Sequence, residues 1–197
     1  MSDYSAIFDI LEKNNGIVTT AQATEAGLQR RILSELVAAK KIVRVMRGIY
    51  VLPNVWEDEM YFLQHRHSKC IFSNETALYL HSLSDRTPQK YTVTVPHGFN
   101  ATGLKRNNVK VKFTKHEIYD IGIIEVKSPL GNPIRAYNKE RTLCDIVKGN
   151  NSCDIQLVNQ AMKVYATSSD KDMAKLFEYA QRLRVKPKIL RYMEVLL

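Results

Sequence analysis

The 197-residue sequence predicts an α+β protein with two domains, residues 1–53 and residues 54–197. The first 52 residues alternate between helical periodicity and short β-branched runs. From Tyr91 to Tyr137 the pattern is mostly β, and helical periodicity returns after Asn138, so the second domain should be mixed and end in helices. Apolar residues make up 45% of the chain, which is enough for a core in each domain.

The N-terminal domain shows local signals for three helices and a hairpin. Thr19 with Gln22 three residues later matches a capping box, and Gly27 is a helix stop. Arg47-Gly48 separates two β-rich runs and predicts a hairpin turn. The predicted order is a helix that Ser2 or Asp3 caps and that ends at Asn14-Asn15-Gly16, strand 17–18, helix 20–26, helix 28–39 and strands 42–46 and 49–52. This is the element order of a winged helix-turn-helix.

The third predicted helix has two contrasting faces. One face carries Leu28, Ile32, Leu33 and Leu36, and the opposite face carries Arg30, Arg31, Ser34 and Ala38. Arginine can pair with guanine, serine can bond bases or phosphates, and alanine allows the backbone to approach closely. The second face therefore suits a helix in the major groove, although a solvated surface has the same composition.

Basic residues continue from this helix into the hairpin. From Leu28 to Leu52 there are six basic residues and one acid, Glu35, and the whole chain has a formal net charge of +9. Such a surface favours a polyanion as partner. The predicted contacts with double-stranded DNA are Thr19, Thr20, Gln29, Arg30, Arg31, Ser34, Lys40, Lys41, Arg44 and Arg47.

Five segments carry a resemblance to a known family. The stretches 16–20, 26–28 and 47–53 (GIVTT, AGL and RGIYVLP) resemble the N-terminal domain of the AbiE abortive-infection antitoxins, which belong to type IV toxin–antitoxin systems. The stretches 91–96 and 140–145 (YTVTVP and ERTLCD) resemble the C-terminal region of that family. The resemblance thus touches most of the chain.

The resemblance implies two activities. The winged domain would bind inverted repeats in the promoter of its own operon and repress it. The C-terminal domain would counter a nucleotidyltransferase-like toxin in phage defence, without a stable complex, and the resemblance points to Glu140, Arg141 and Asp145 for this antitoxicity. The residues themselves predict a helix start there, with an Arg141–Asp145 pair four residues apart.

A second basic segment lies in the C-terminal domain. Residues 86–116 contain seven Lys or Arg and no acid. The strand periodicity places Lys110 and Lys112 on one face and directs Val109, Val111 and Phe113 to the core. We expect either a solubilising surface or a second nucleic-acid surface, for DNA or RNA, formed by Lys105, Arg106, Lys110 and Lys112.

Two alternatives to a repressor and antitoxin remain open. Asp120 with Glu125 and Lys127 matches the short pattern of metal-dependent nucleases, which would make the protein a DNA-targeted nuclease, but that pattern is frequent by chance. The C-terminal domain could instead sense a ligand or mediate dimerisation of a transcription regulator.

No cofactor or metal site is expected. The three cysteines show no CxxC spacing, and His65-x-His67 supplies only two ligands. No signal pattern or membrane-spanning apolar run is present, which predicts a cytoplasmic protein with no membrane contact. A monomer and a dimer that assembles on DNA are both compatible with the sequence.

Overall fold

The computed structural model describes residues 3–106, 108–149 and 153–196; the side chains of Asp3, Lys105 and Arg106 are outside this description. The chain divides into two compact units. The N-terminal unit comprises Met1–Glu59 with Pro129–Asn132, and the C-terminal unit comprises Met60–Ser128 with Pro133–Leu197. Helices and a second sheet follow the N-terminal elements, which confirms the predicted α+β class.

The N-terminal unit contains three helices and a three-stranded sheet. Its elements are α1 (Asp3–Lys13), β1 (Ile17–Thr19), α2 (Thr20–Glu25), α3 (Arg30–Ala38), β2 (Val43–Met46) and β3 (Ile49–Val51). The antiparallel sheet has the order β1-β3-β2. Helix α3 begins two residues later than the periodicity predicts, because Gln29 is extended (φ −72°, ψ 134°) and serves as the N-cap.

Local chemistry fixes the junction between α2 and α3. The Thr19 hydroxyl accepts from the Gln22 amide at 3.1 Å, and the Gln22 side chain accepts from the Thr19 amide at 2.9 Å, which confirms the capping box. Gly27 adopts φ +75° directly after α2, a conformation that costs glycine little. The Leu28 amide then donates to the Ala23 carbonyl, which closes the helix end and sets the start of α3.

The core of the N-terminal unit lies between its helices and its sheet. Ile7 and Leu11 of α1 pack with Leu33 of α3, and all three are almost completely buried. Ala23 of α2 is fully buried, so its small side chain allows close packing with its neighbours. The side of α3 that carries Leu33 is thus fixed toward the protein, which leaves the opposite side to solvent.

The C-terminal unit is a five-stranded sheet with helices. Its elements are α4 (Glu59–Arg66, whose first residue belongs to the N-terminal unit), β4 (Ile71–Phe72), α5 (Asn74–Leu80), β5 (Thr92–Pro96), α6 (Thr102–Arg106), β6 (Lys110–Thr114), α7 (His116–Tyr119), β7 (Ile123–Lys127), β8 (Pro133–Tyr137), α8 (Lys139–Val147), α9 (Ile155–Thr167), α10 (Met173–Arg182) and α11 (Lys186–Leu196). The strand order is β6-β5-β4-β8-β7. Strands β5 and β6 are parallel, with Thr92 opposite Lys110 and Thr94 opposite Lys112.

The two faces of β5 differ in chemistry. Val93 and Val95 belong to an apolar core with Met60 and Leu104. Thr92 and Thr94 are also buried, but they make hydrogen bonds at the start of α5. The adjacent β6 is an edge strand, and its Phe113 is 44% exposed, so the prediction that Phe113 points into the core is wrong.

The C-terminal helices enclose a second apolar core. Leu143, Met162, Leu176 and Ile189 come from four successive helices, α8 to α11, and are completely buried. Asp172 is the N-cap of α10, and its side chain accepts from the Lys175 amide at 2.9 Å. None of the described helices has the length and apolar character needed to cross a bilayer.

A histidine between α5 and β8 makes the stability of the C-terminal unit sensitive to pH. His81 Nε2 lies 2.6 Å from the Tyr137 carbonyl oxygen, and burial lowers the pKa of His81 below its ordinary value. The unfolded chain therefore takes up a proton more readily than the folded one, and the free energy of unfolding decreases as pH falls below about 6.5.

We expect His81→Gln to reduce the loss of unfolding free energy between pH 7 and pH 5, as measured by urea denaturation at both pH values. The control is His116→Gln, because His116 is exposed on α7. An unchanged pH dependence in His81→Gln would contradict this assignment.

Candidate nucleic-acid interface

The outer face of α3 is open to solvent. Arg30, Arg31, Ser34 and Ala38 are all exposed, whereas Ile32, Leu33 and Leu36 are buried. The structure therefore separates the two faces of α3 as the periodicity predicts. Gln29 is exposed at the N-cap and makes no capping hydrogen bond with its side chain.

The two arginines of α3 are in different states. Arg31 Nε donates to Glu35 Oε1 at 2.6 Å, and the Tyr4 hydroxyl donates to Glu35 Oε2 at 2.6 Å. These hydrogen bonds, first that of Tyr4 and then that of Arg31, lower the pKa of Glu35. Arg30 makes no ion pair within the described part of the chain. Arg30 is therefore free to bind a base, whereas Arg31 must exchange Glu35 for a new acceptor; its side chain is 82% exposed, which makes that exchange easy.

The end of α3 holds a lysine in an unfavourable backbone conformation. Lys40 has φ +54°, its amide donates to the Val37 carbonyl, and the Lys41 amide donates to the Leu36 carbonyl. This is a Schellman motif with lysine at the position where glycine is usual. Because L-residues pay a steric cost in this region, a charge is held here at the expense of stability.

We expect Lys40→Gly to raise the free energy of unfolding by about 0.5–1 kcal/mol. The substitution relieves the strain of a left-handed lysine, and this gain exceeds the additional conformational entropy that glycine loses on folding. The same change should weaken binding to all duplex DNA and reduce the slope of log K against log salt by about one. Fluorescence anisotropy at several salt concentrations measures the second effect.

A matched control lies in the C-terminal unit, where Arg184 has φ +60° in the same type of helix end. Arg184→Gly should stabilise the protein to a similar extent and leave the salt slope unchanged. An unaltered salt slope in Lys40→Gly would remove Lys40 from the interface.

The hairpin presents further cations. Strands β2 and β3 are joined by Arg47-Gly48, where Gly48 has φ +85°. Lys41, Arg44 and Arg47 are exposed, and none of them pairs with an acid in the described parts of the chain. The helix face, the junction and the hairpin thus all present free positive charge.

One of the residues predicted to contact DNA is buried. Thr19 is only 4% exposed, its hydroxyl and amide are both engaged by Gln22, and it is a structural cap rather than a DNA contact. Thr20 is half-buried, and its amide donates to the Gly48 carbonyl at 2.9 Å, which connects α2 to the hairpin turn.

The second predicted basic surface is less uniform than its sequence indicates. Lys110 is paired with Glu75 at 3.0 Å, and Lys112 is half-buried beside a polar pocket. The side chains of Lys105 and Arg106 lie outside the described residues. Lys110 and Lys112 therefore do not form an open cationic face.

The residues assigned to antitoxicity by resemblance belong to a buried network. Arg141 is 1% exposed; its Nε donates to Asp145 Oδ2 at 3.0 Å, its Nη1 donates to the Ile118 and Ile121 carbonyls, and its guanidinium lies 4.2 Å from the centre of the Tyr137 ring. The predicted Arg141–Asp145 pair is thus present.

Glu140, which is 6% exposed, accepts from the Tyr165 hydroxyl at 3.0 Å. That hydroxyl in turn accepts from the Asp172 amide, so Glu140 connects α8 to the start of α10. Glu140 and Arg141 hold the fold from positions that a protein partner does not reach directly.

The three residues of the nuclease pattern lie on or beside α7 and β7. Asp120 ends α7, and Glu125 and Lys127 lie exposed on β7. Across the described ranges, no three His, Cys, Asp or Glu side chains come together as a cation site would require. Cys70 and Cys144 are buried, and burial raises the pKa of each thiol to about 12, so both are protonated at neutral pH.

The sequence pattern did not reveal the link between Tyr4 and Glu35 or the conformation of Lys40. Tyr4 lies 31 residues from Glu35, and only packing of α1 beside α3 brings them together. The KK pair after a helix is a common pattern, and nothing in it distinguishes a left-handed lysine from an ordinary one.

The N-terminal unit has three helices, a β-hairpin after the third helix, and an exposed basic face on that third helix. These features define a winged helix-turn-helix. Residues 5–53 match the family model described as transcriptional regulator, AbiEi antitoxin, which confirms the resemblance to AbiE-type antitoxins over that segment. The match lies within the N-terminal unit and is a likeness to a family of transcriptional regulators described as antitoxins.

A comparison with solved structures found a crystal structure of the Rv2827c protein from Mycobacterium tuberculosis, with a TM-score of 0.46 and 14% sequence identity; the match covers 100% of this chain and 81% of that chain. None of the curated proteins compared with the chain matches it significantly.

Proposed function

We propose that the protein is a repressor that binds inverted repeats in the promoter of its own toxin–antitoxin operon. The observation that carries this proposal is the continuous set of free cations on α3, its C-terminal junction and the hairpin: Arg30, Lys40, Lys41, Arg44 and Arg47. In a winged helix-turn-helix, α3 lies in the major groove, while the junction and the hairpin contact phosphates.

The test is a footprint on the DNA that precedes the gene, together with a promoter-reporter assay in cells. Wild-type protein should protect a repeat and lower reporter output. A variant with Arg44→Ala and Arg47→Ala should lose most of both effects, because the hairpin no longer grips the backbone. Full repression by this variant would contradict the proposal. The footprint also shows whether one protomer or two bind the repeat.

We also propose that the protein counters a nucleotidyltransferase-like toxin in the cytoplasm without forming a stable complex with it. The family description supports an antitoxin role. The C-terminal unit contains two apolar cores of its own, so it can carry an activity separate from DNA binding. Co-expression of toxin and antitoxin in growing cells tests this. The Arg44→Ala, Arg47→Ala variant should still rescue growth, since neutralisation does not need operator binding. Co-purification of the two proteins at stoichiometric amounts would contradict the absence of a stable complex.

A second candidate, a regulator that senses a ligand, has one observation in its favour. A groove of about 1050 Å³ lies between α8, α9 and α11. Apolar Val158 and Tyr192 line it together with Lys163 and Arg191, a lining that suits an amphiphilic anion. Release of operator DNA by such a compound, and by no neutral analogue, would support this candidate.

A further inference from the structure

A small polar pocket lies in the C-terminal unit, beside β5, β6 and α8. Its volume is about 130 Å³. Three cationic side chains line it, those of Lys112, Arg141 and Lys148. Asn74, Thr94 and Thr114 contribute neutral polar groups, and the remaining lining residues are Phe113 and Asp145.

The charge of this pocket favours an anion. Asp145 is the one carboxylate among its lining residues, and its Oδ2 already accepts from Arg141 Nε. Lys112 and Lys148 pair with no acid in the described ranges, in contrast to Lys110 on the same strand, which pairs with Glu75. With three cations and one carboxylate, the lining carries a net positive charge.

One nitrogen of the Arg141 guanidinium has no acceptor in the described part of the chain. The Arg141 side chain is 2% exposed, and its Nε and Nη1 hydrogens are used by Asp145 and by two backbone carbonyls. Among the described residues, no group accepts from Nη2, although Arg141 lines the pocket. Nη2 is therefore available to donate to an anionic oxygen in the pocket.

The hydroxyl groups that line the pocket and the volume of the pocket limit the class of anion that can bind. Thr94 and Thr114 are buried; the Thr94 hydroxyl donates to Ser73 Oγ at 2.9 Å, whereas the Thr114 hydroxyl can donate to an oxyanion. The volume equals roughly four times the ~30 Å³ that a water molecule occupies in the liquid. A tetrahedral oxyanion fits in this space, whereas the sugar and base of a nucleotide would have to lie outside it.

We propose that this pocket binds a single phosphate group, either as free inorganic phosphate or as the phosphate of a nucleotide. Lys112 and Lys148 neutralise its charge, and Arg141 Nη2 and the Thr114 hydroxyl donate hydrogen bonds to its oxygens. The site does not depend on operator binding by the winged unit, so each of the two can fail without the other.

The experiment is a calorimetric titration of the full chain with inorganic phosphate in a chloride buffer at constant ionic strength. Wild-type protein should bind one equivalent. Lys112→Met should weaken binding about tenfold or more, because one charge-assisted hydrogen bond is lost. Lys127→Met, on the exposed edge strand β7, removes the same charge elsewhere and should leave the affinity unchanged.

Thr114→Val provides a milder variant that keeps the charge, and it should weaken binding several-fold, in the range of one neutral hydrogen bond. Circular dichroism confirms that each variant is folded. Absence of saturable binding in wild type, or equal weakening by Lys112→Met and Lys127→Met, would overturn the proposal.

Adenosine monophosphate and adenosine distinguish the two sources of the phosphate. Tighter binding of the monophosphate than of inorganic phosphate assigns the pocket to a nucleotide, and equal binding assigns it to phosphate alone. Adenosine should not compete in either case. Competition by adenosine as strong as that by its monophosphate would show that the base, not the phosphate, is bound, and would contradict the proposal.

Discussion

Replacing Arg141 by alanine should lower the free energy of unfolding of the C-terminal unit by about 3–5 kcal/mol, measured by urea denaturation. The change leaves Asp145, whose side chain is 12% exposed, without its partner, empties a completely buried volume and removes the donors to the Ile118 and Ile121 carbonyls. Gly122 lies close to Arg141, since a Cβ on Gly122 would come within 2.8 Å of Arg141 Cβ.

Arg182 provides the matched control for Arg141. It pairs with Glu178 at the same spacing of four residues, but both side chains are at least half exposed. Arg182→Ala should therefore change the free energy of unfolding by no more than about 0.5 kcal/mol. If Arg141→Ala were as mild as Arg182→Ala, the buried network would not hold the C-terminal unit together.

Replacing Arg30 by alanine should weaken binding to the operator about 10- to 100-fold and leave binding to unrelated duplex DNA nearly unchanged. Arg30 is the cation on the α3 face without an acid partner in the described chain, and a bidentate pair with a base contributes about 1–3 kcal/mol of discrimination. Anisotropy titrations with operator and with scrambled duplex at fixed salt measure the two affinities.

Glu35 and Lys13 supply informative comparisons for Arg30. Glu35→Gln removes the acid that holds Arg31 and should tighten binding to both duplexes. Lys13→Ala removes an exposed cation from the last turn of α1 and should have little effect. Equal loss of affinity for operator and scrambled DNA in Arg30→Ala would mean that Arg30 contacts phosphate, and base reading would have to be assigned elsewhere.

The winged unit could be predicted almost completely because its signals are local. The capping box at Thr19, the stop at Gly27 and the periodicity of α3 each involve residues within one or two turns. The sequence also predicts a DNA contact at Thr19, because it does not show that this hydroxyl is already used by the capping hydrogen bonds.

The C-terminal unit was harder to predict because its key contacts are distant in sequence. The pocket brings together Asn74, Lys112 and Arg141 from three separate elements, which no spacing rule reveals. Helices α6 and α7 have five and four residues, too few to show a period. The alternation of apolar residues alone predicts that Phe113 points into the core. Because β6 is an edge strand, that side chain is instead half open to solvent.

Proximity cleavage of operator DNA tests most directly whether α3 enters the groove. An iron chelate attached to Ser34→Cys, in a chain where the half-exposed Cys153 is replaced by serine and the buried Cys70 and Cys144 remain, places the cleaving centre on the outer face of α3. Strong cuts should fall inside the operator repeat, and the same chelate on Glu12→Cys, exposed on α1, should cut weakly. Equal cutting from the two positions, or no cutting from Ser34→Cys while the operator is bound, would contradict the account.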